Sequence, residues 1–176
     1  MTEKLPGDYI AGFVDGEGCF ALKFRRDVRH NRGKRSGIKP TYFYWDIEFA
    51  IMLREDDREI LKKIQNTLDC GKIGNPDKRG AVRYSVNDIN DLSNKIVPFF
   101  EKYPLHAKKQ FDFQLWKEAV EIFKRNQRLS LNRRKGEKGF YKTNWNPKDL
   151  ERLKEIREEM QKYKNNRKQW KWLPVI

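Results

Sequence analysis

The sequence has few of the residues that build disulfide frameworks, zinc sites or membrane spans. It contains two cysteines, Cys19 and Cys70, without CxxC spacing, and two histidines, His30 and His106. Such a set predicts reduced cysteines that serve packing, and it argues against a disulfide framework or a zinc site. No apolar run approaches the roughly 20 residues that cross a bilayer. Because the first eight residues also lack the apolar core of a signal peptide, we expect an intracellular protein, in the cytoplasm or an organelle matrix, with no membrane partner.

Basic residues are in large excess. The 176 residues include 39 Lys and Arg against 25 Asp and Glu, for a formal net charge of +14 and a pI near 9.8. Such an excess attracts polyanions, so nucleic acid is the first expected partner. An acidic membrane surface is the second, but the sequence lacks the basic amphipathic helix with a clean apolar face that such binding requires. The length suits one domain over residues 1–176, with a core over about 6–125 and a C-terminal helical extension over about 126–176.

The segment YIAGFVDGEGCF near the N-terminus is the most informative part of the chain. Read as a helix with Asp8 as its N-cap, it places Ile10, Phe13 and Val14 on one apolar stripe. Gly12 and Gly16 lie four residues apart and clear a flat strip along the helix. Each glycine weakens an isolated helix by about 1 kcal/mol relative to alanine, so the strip predicts a close helix–helix contact.

Two carboxylates follow at the predicted end of this helix. Asp15 and Glu17, with Gly16 and Gly18 as breakers, lie at the negative end of the helix dipole. If two copies of the helix pack together, the repulsion between the four carboxylates must be relieved by protonation, by Lys or Arg, or by a metal ion. Carboxylate and carbonyl oxygens suit Mg²⁺. The alternative is that Asp-Gly-Glu-Gly forms only a solvated turn.

Two alternating stretches predict a β-hairpin. Residues 19–26 alternate with Phe20, Leu22 and Phe24 on the buried side, and residues 42–53 alternate with an aromatic and aliphatic inner face. The basic residues 27–40 connect them. A two-stranded ribbon fits the major groove, where Lys and Arg donate to guanine and Asp and Glu accept from cytosine. The alternative is ordinary solvated strand surface.

The rest of the chain predicts two more strands and several helices. A helix capped by Asp56 or Asp57 runs to Leu68, and a second hairpin pairs residues 72–77 with 81–86. Helices follow over residues 87–100, interrupted at Pro98, over 110–125 and over 147–163. This order predicts an α+β fold, αββαββα at its core, with a curved four-stranded antiparallel sheet that faces DNA and helices on its other face.

Residues 10–18, IAGFVDGEG, resemble the signature of the LAGLIDADG homing endonucleases and related intron maturases. Ala11, Gly12, Asp15 and Gly18 fall on the fixed letters of that signature, and Glu17 falls on its second acid. The resemblance implies that Glu17 and the Gly16 carbonyl bind a catalytic Mg²⁺ or Mn²⁺, with Ca²⁺ supporting binding without cleavage. It also implies that Asp15 lies beside the metal, and that a basic residue, Lys108 or Lys109, acts near the scissile phosphate.

The resemblance further implies cleavage of both strands of intron-homing DNA targets with 3′ overhangs. Because the chain carries one signature, we expect a homodimer on a near-palindromic duplex. An RNA maturase that binds intron RNA, or a non-catalytic DNA-binding protein of the same fold, is the alternative. The predicted dimer interface consists of Ile10, Gly12, Phe13 and Gly16. The residues predicted to contact DNA are Lys23, Arg25, Arg26, Arg29, Arg32, Lys34, Arg35, Lys39, Tyr44, Asp46, Glu48, Lys72, Lys78, Arg79, Arg83 and Ser85.

Overall fold

The computed structural model describes residues 3–28, 41–130 and 145–162, without the side chains of residues 26–28, 41–43 and 127–130. Its elements in chain order are α1 (Gly7–Glu17), β1 (Gly18–Val28), β2 (Thr41–Arg54), a 3₁₀ turn (Glu55–Asp57), α2 (Arg58–Leu68), β3 (Lys72–Ile73), β4 (Ala81–Val86), α3 (Ile89–Asp91), a π-helical segment (Leu92–Ile96), α4 (Val97–Lys102), α5 (Lys109–Ser130) and α6 (Pro147–Lys162).

The four strands form one curved antiparallel sheet in the order β1-β2-β4-β3. In the register of β1 and β2, Phe20 lies opposite Phe49 and Leu22 lies opposite Ile47, and all four side chains are buried. Their neighbours along each strand point to the other face because successive strand residues alternate. The predicted α+β class, the sheet and its inner face are therefore confirmed.

An aromatic cluster joins the sheet to the helices. The ring centroid of Phe20 lies 5.3 Å from that of Phe49, 5.5 Å from Phe100 and 5.1 Å from Trp116. Tilted and edge-on ring pairs at this spacing stabilise a core beyond the area they bury. The cluster anchors the start of β1, close to the end of α1, against α4 and α5.

The start of α1 and the helical stretch around Pro98 differ from the prediction. Pro6, not Asp8, is the N-cap of α1, and Asp8 lies in its first turn, where an acid still favours the helix dipole. Pro98 does not interrupt the helical stretch after β4, so that prediction was wrong. The π-helical turns of Leu92–Ile96 precede it, and their wider hydrogen-bond spacing makes room for a residue that lacks an N–H.

Helix α6 packs along α5. Leu153, Ile156 and Met160 are buried in the same core as the sheet residues, and Asn146 caps the helix by accepting a hydrogen bond from the Lys148 N–H at 3.0 Å. The Arg152 guanidinium donates to the Glu118 carboxylate on α5 at 2.7 and 2.9 Å, which ties the two helices together. Within the described residues, no helix has both the length and the hydropathy needed to cross a membrane.

Candidate metal and DNA site

Helix α1 buries one side and leaves its glycines open. Ile10 and Val14 are fully buried in the core, whereas Gly12 and Gly16 are exposed, and a Cβ atom built on either would meet nothing within 4 Å. Phe13 is half-buried and stacks on Tyr9 with 6.2 Å between ring centroids. The placement of Ile10 in the predicted interface is corrected, because its side chain is used by the chain's own core.

Gly18 makes the sharp junction between α1 and β1. A Cβ atom there would lie 2.5 Å from Cγ1 of Val14 and 2.8 Å from its carbonyl oxygen, so no other residue fits without a shift of the backbone. The strand therefore starts immediately after the last residue of the helix. As a result, Glu17 is held as an exposed carboxylate at the point where α1 meets the sheet.

Asp15 holds the start of α5 against the end of α1. Its Oδ2 accepts hydrogen bonds from the backbone N–H groups of His106 at 2.8 Å and Ala107 at 3.1 Å. Its Oδ1 is buried and has no hydrogen-bond partner within the described part of the chain. No local sequence signal points to these two N–H donors, because they lie more than 90 residues away.

Lys109 neutralises the end of α1. Its Nζ donates to the carbonyl oxygens of Asp15 at 2.7 Å and Gly16 at 2.8 Å. The last turn of α1 has no basic residue of its own, so Lys109 supplies the positive charge that a helix C-terminus favours. Of the two lysines left open by the sequence, Lys109 reaches the site, while Lys108 is exposed at the residue before α5.

The oxygens at the end of α1 fit half of a divalent-cation site. The Glu17 carboxylate and the Gly16 carbonyl are hard ligands of the kind that Mg²⁺ prefers, and the orphaned Oδ1 of Asp15 lies in the same turn. No group of three or more His, Cys, Asp or Glu side chains that could hold a metal occurs among the residues described for this one chain. The described residues of one chain therefore do not make a complete site by themselves.

The outer face of β1 and β2 carries polar side chains, as the alternation predicted. Tyr44 is exposed and lies opposite Arg25 in the register, and the Arg25 Nε donates to Asp46 Oδ2 at 2.6 Å. Asp46 in turn lies opposite Lys23, which reaches diagonally to Glu48. Each of these two basic side chains on β1 thus pairs with an acid on β2 that lies two residues beyond its own register partner.

Glu48 is on this face but is buried. Its Oε1 accepts from Arg83 Nε at 3.0 Å, and its Oε2 accepts from Arg83 Nη2 at 2.7 Å and from Lys23 Nζ at 2.5 Å. Burial raises the pKa of Glu48, but the hydrogen bonds and charges of Arg83 and Lys23 outweigh it and hold that pKa below its usual value. With 7% of its side chain exposed, Glu48 offers little surface for the direct base contact that the sequence predicted.

The second hairpin adds further predicted residues to this face. Lys72 on β3 lies opposite Ser85 on β4, and Ser85 is buried, so it offers less surface than predicted. Asp77 fixes the turn by accepting hydrogen bonds from the N–H groups of Arg79 at 2.8 Å and Ala81 at 2.9 Å, and these bonds lower the pKa of Asp77. Lys78 and Arg79 are exposed in that turn. The predicted contacts outside the described residues or side chains are Arg26, Arg29, Arg32, Lys34, Arg35 and Lys39.

Comparison with known families decides the identity. Residues 10–120 match the LAGLIDADG endonuclease family, and this match covers more than half of the chain. The chain belongs to the LAGLIDADG endonuclease family. Probable intron-encoded endonuclease 2 of Neurospora crassa is one relative, 34% identical over 126 residues, which are 70% of this chain and 25% of that protein. The predicted family resemblance is confirmed.

Solved LAGLIDADG structures share the fold. The meganuclease I-CpaMI bound to uncleaved DNA has 27% identity and a TM-score of 0.63 over 87% of this chain and 43% of that one. I-SmaMI bound to uncleaved DNA in the presence of calcium ions has 22% identity and a TM-score of 0.65 over 88% of this chain and 44% of that one. This LAGLIDADG chain therefore spans less than half the length of these meganucleases, and about a quarter of the Neurospora relative.

Proposed function

We propose that this chain is a site-specific homing endonuclease that makes a double-strand break with 3′ overhangs in a long, near-palindromic DNA target, using Mg²⁺ or Mn²⁺. The observation that carries the proposal is the exposed Glu17 carboxylate at the end of α1, directly before the first strand of the sheet. A nuclease needs an acid there that can bind a cation and reach a phosphate. Lys109 donates to the backbone carbonyls of this helix end, which leaves the carboxylate itself available.

The chain's own residues divide the work at this end of α1. Glu17 would hold the cation together with the second lone pair of the Gly16 carbonyl, whose other lone pair accepts from Lys109. Asp15 fixes the position of this helix end through its bonds to the N-terminal side of α5. Lys109 offsets the negative potential of the helix end, so the acids are tolerated close to a phosphate. A divalent ion held there would supply an activated water and would neutralise negative charge on the phosphate.

A second copy would complete the site. The strip of Gly12 and Gly16 is open, which is what a close helix–helix contact between two copies requires. Two α1 helices packed along this strip would bring both Glu17 carboxylates together over one duplex, each serving one strand. The length of the solved relatives, about twice that of the chain, agrees with a working unit made of two such halves.

The deciding experiment is substitution of Glu17→Gln, which keeps the shape of the side chain and removes its charge. Targets are first selected from a randomised duplex pool by retention in Ca²⁺, and the retained duplexes are then incubated with Mg²⁺. We expect the wild-type chain to cleave them, and Glu17→Gln to bind within about threefold of wild type and to lose cleavage by at least about a hundredfold.

The matched control is Glu59→Gln, a similar change at an exposed acid on α2 that pairs with Lys62 one turn along the same helix. This control should cleave like the wild type. Cleavage by Glu17→Gln at the wild-type rate would reject Glu17 as the metal ligand. A wild-type chain that retains specific duplexes and never cleaves them would instead support the non-catalytic alternative.

A further inference from the structure

Three charged side chains from three different strands meet on the outer face of the sheet. Lys23 lies on β1, Glu48 on β2 and Arg83 on β4, and Glu48 accepts all three hydrogen bonds that join them. We call these residues the Glu48 triad. An acid at the centre of a basic face weakens attraction to phosphate, so its presence there needs a reason other than general affinity for DNA.

Arg83 reaches Glu48 by lying along the sheet. In the register of β2 and β4, Arg83 is opposite Met52, four residues from Glu48, and the pair between them is Ala50 and Ser85. Both of these small residues are buried, with 1% and 8% of their surface exposed. Larger residues at these two positions would block the path of the guanidinium to the carboxylate. The register and the small residues therefore dictate one orientation of Arg83.

In this orientation a defined part of the guanidinium has no partner among the described residues. Arginine has five N–H donors in a planar fork, and here Glu48 takes the edge formed by Nε and Nη2. The edge formed by Nη1 and the second hydrogen of Nη2 points away from the carboxylate. About a third of the Arg83 side chain is exposed. Two parallel donors on a fixed plane match the O6 and N7 acceptors that guanine presents in the major groove.

We infer that Glu48 is a positioning residue for base recognition, which holds Arg83 so that its Nη1–Nη2 edge reads one guanine in each half of the DNA target. Lys23, held by the same carboxylate, is fixed beside it. The inference rests on the proposed DNA binding of the sheet. A phosphate could use the same edge, but a phosphate oxygen lies on every nucleotide and would need no fixed plane.

The test compares three variants of the full chain: Glu48→Gln, Arg83→Lys and, as a control, Asp46→Asn. Glu48→Gln keeps the shape of the side chain but removes the charge, and Arg83→Lys keeps the charge but loses the fork. Asp46→Asn removes a charge of the same sign from the same face, where Asp46 pairs with Arg25. Each variant, with its thermal unfolding checked, is incubated with a randomised duplex pool in Ca²⁺, and the retained duplexes are sequenced.

We expect Glu48→Gln and Arg83→Lys to lose preference for guanine at the same base pair by about tenfold or more, with little change at other positions. Asp46→Asn should keep the guanine preference at that base pair; because Asp46 pairs with Arg25, any change in preference that it causes is expected at a different base pair. Because Glu48→Gln removes a negative charge from the face, its retention of non-preferred duplexes should stay equal to the wild type or increase. If Glu48→Gln does not fold, Arg83→Lys alone must still lose a guanine preference at one position.

Several results would overturn the inference and leave the proposed function intact. Arg83→Lys could weaken all duplexes uniformly, which would identify a phosphate contact. Glu48→Gln could instead lose a preference for cytosine at a position that Arg83→Lys leaves unchanged, which would make Glu48 a direct reader. Unchanged sequence preference in both variants would also reject it. A wild-type chain with no sequence preference at all would overturn the proposed function, and this inference with it.

Discussion

Lys109 brings a positive charge from α5 to a helix end whose own last turn has none. Its two hydrogen bonds satisfy carbonyl groups of Asp15 and Gly16 at the C-terminal end of α1, where helical partners run out. The same lysine is therefore part of the fold as well as a candidate for the chemistry. A loss of activity in a Lys109 variant cannot be assigned to catalysis until the cost to the fold is known.

Lys109→Met should measure that cost. We expect the free energy of unfolding to fall by about 1 to 2 kcal/mol, because two charge-assisted hydrogen bonds at a half-buried helix end are lost. Lys108→Met is the matched control, since Lys108 is exposed and adjacent, and it should change stability by less than about 0.5 kcal/mol. Urea unfolding followed by circular dichroism measures both. Equal effects of the two substitutions would mean that the capping bonds contribute nothing measurable.

The sequence did not predict how deeply single side chains are buried. Alternation along β2 correctly placed Glu48 on the outer face, but alternation does not report how far neighbouring long side chains cover a residue. Similarly, the apolar stripe of α1 included Ile10 without indicating whether its partner was the chain's own core or a second copy. Both answers depend on tertiary packing.

The two faces of helix α1 lie in different environments. Ile10, Ala11 and Val14 face the core, while Gly12 and Gly16 face outward with no described side chain or backbone nearby. The two glycines thus lower the intrinsic stability of the helix, and they make no compensating close contact within the described part of one chain. A partner that approaches the backbone closely would compensate for that loss.

Gly12→Leu should separate the fold of one chain from its assembly. Since a Cβ atom at position 12 meets no described atom of the same chain, we expect the unfolding free energy of the monomer to stay the same or rise by up to about 1 kcal/mol. Dimer formation should be lost at micromolar concentration, as judged by analytical ultracentrifugation. Gln114→Leu, on an exposed position of α5, controls for added hydrophobic surface. A Gly12→Leu dimer as tight as the wild type would contradict the proposed interface.

Among the elements, those with strong periodicity were predictable and those shaped by packing were not. The alternating β1 and β2 and the helix of residues 110–125, which the structure extends to Lys109–Ser130, followed directly from their patterns. The continuous helical path through Pro98 did not, because the preceding π-helical turns depend on Leu92 and Ile96 being buried in the core. Local sequence therefore predicted a break that packing removes.

The whole molecule combines a net charge of +14 with a sheet face that is only partly basic. On that face Asp46 and Glu48 neutralise Arg25, Lys23 and Arg83 in part. If the sheet binds DNA as proposed, we expect sequence preference and general attraction to DNA to come from different residues. General attraction is then expected mainly from basic residues elsewhere in the chain. Such attraction is expected to weaken strongly with salt.

Salt dependence of binding gives the extent of the DNA contact. If a dimer neutralises on the order of 10 phosphates, log K should fall with log salt concentration with a slope of about −9. Fluorescence anisotropy on a selected duplex in Ca²⁺, over a series of KCl concentrations, measures it. Lys78→Gln, at an exposed turn position, should make the slope shallower by about 2 if this side chain contacts phosphate in both copies of the dimer. A wild-type slope of about −2 would exclude an extended contact between DNA and the sheet.

The Glu48 triad also affects how new targets could be selected. The Glu48 carboxylate holds a basic side chain on β1 and another on β4. A substitution at position 23, 48 or 83 therefore changes the surroundings of the other two side chains, and the effects of such substitutions on binding should be non-additive. Libraries that randomise one strand at a time would discard combinations that work only jointly. Retargeting this protein would require varying the three codons in a single step, with Ala50 and Ser85 kept small.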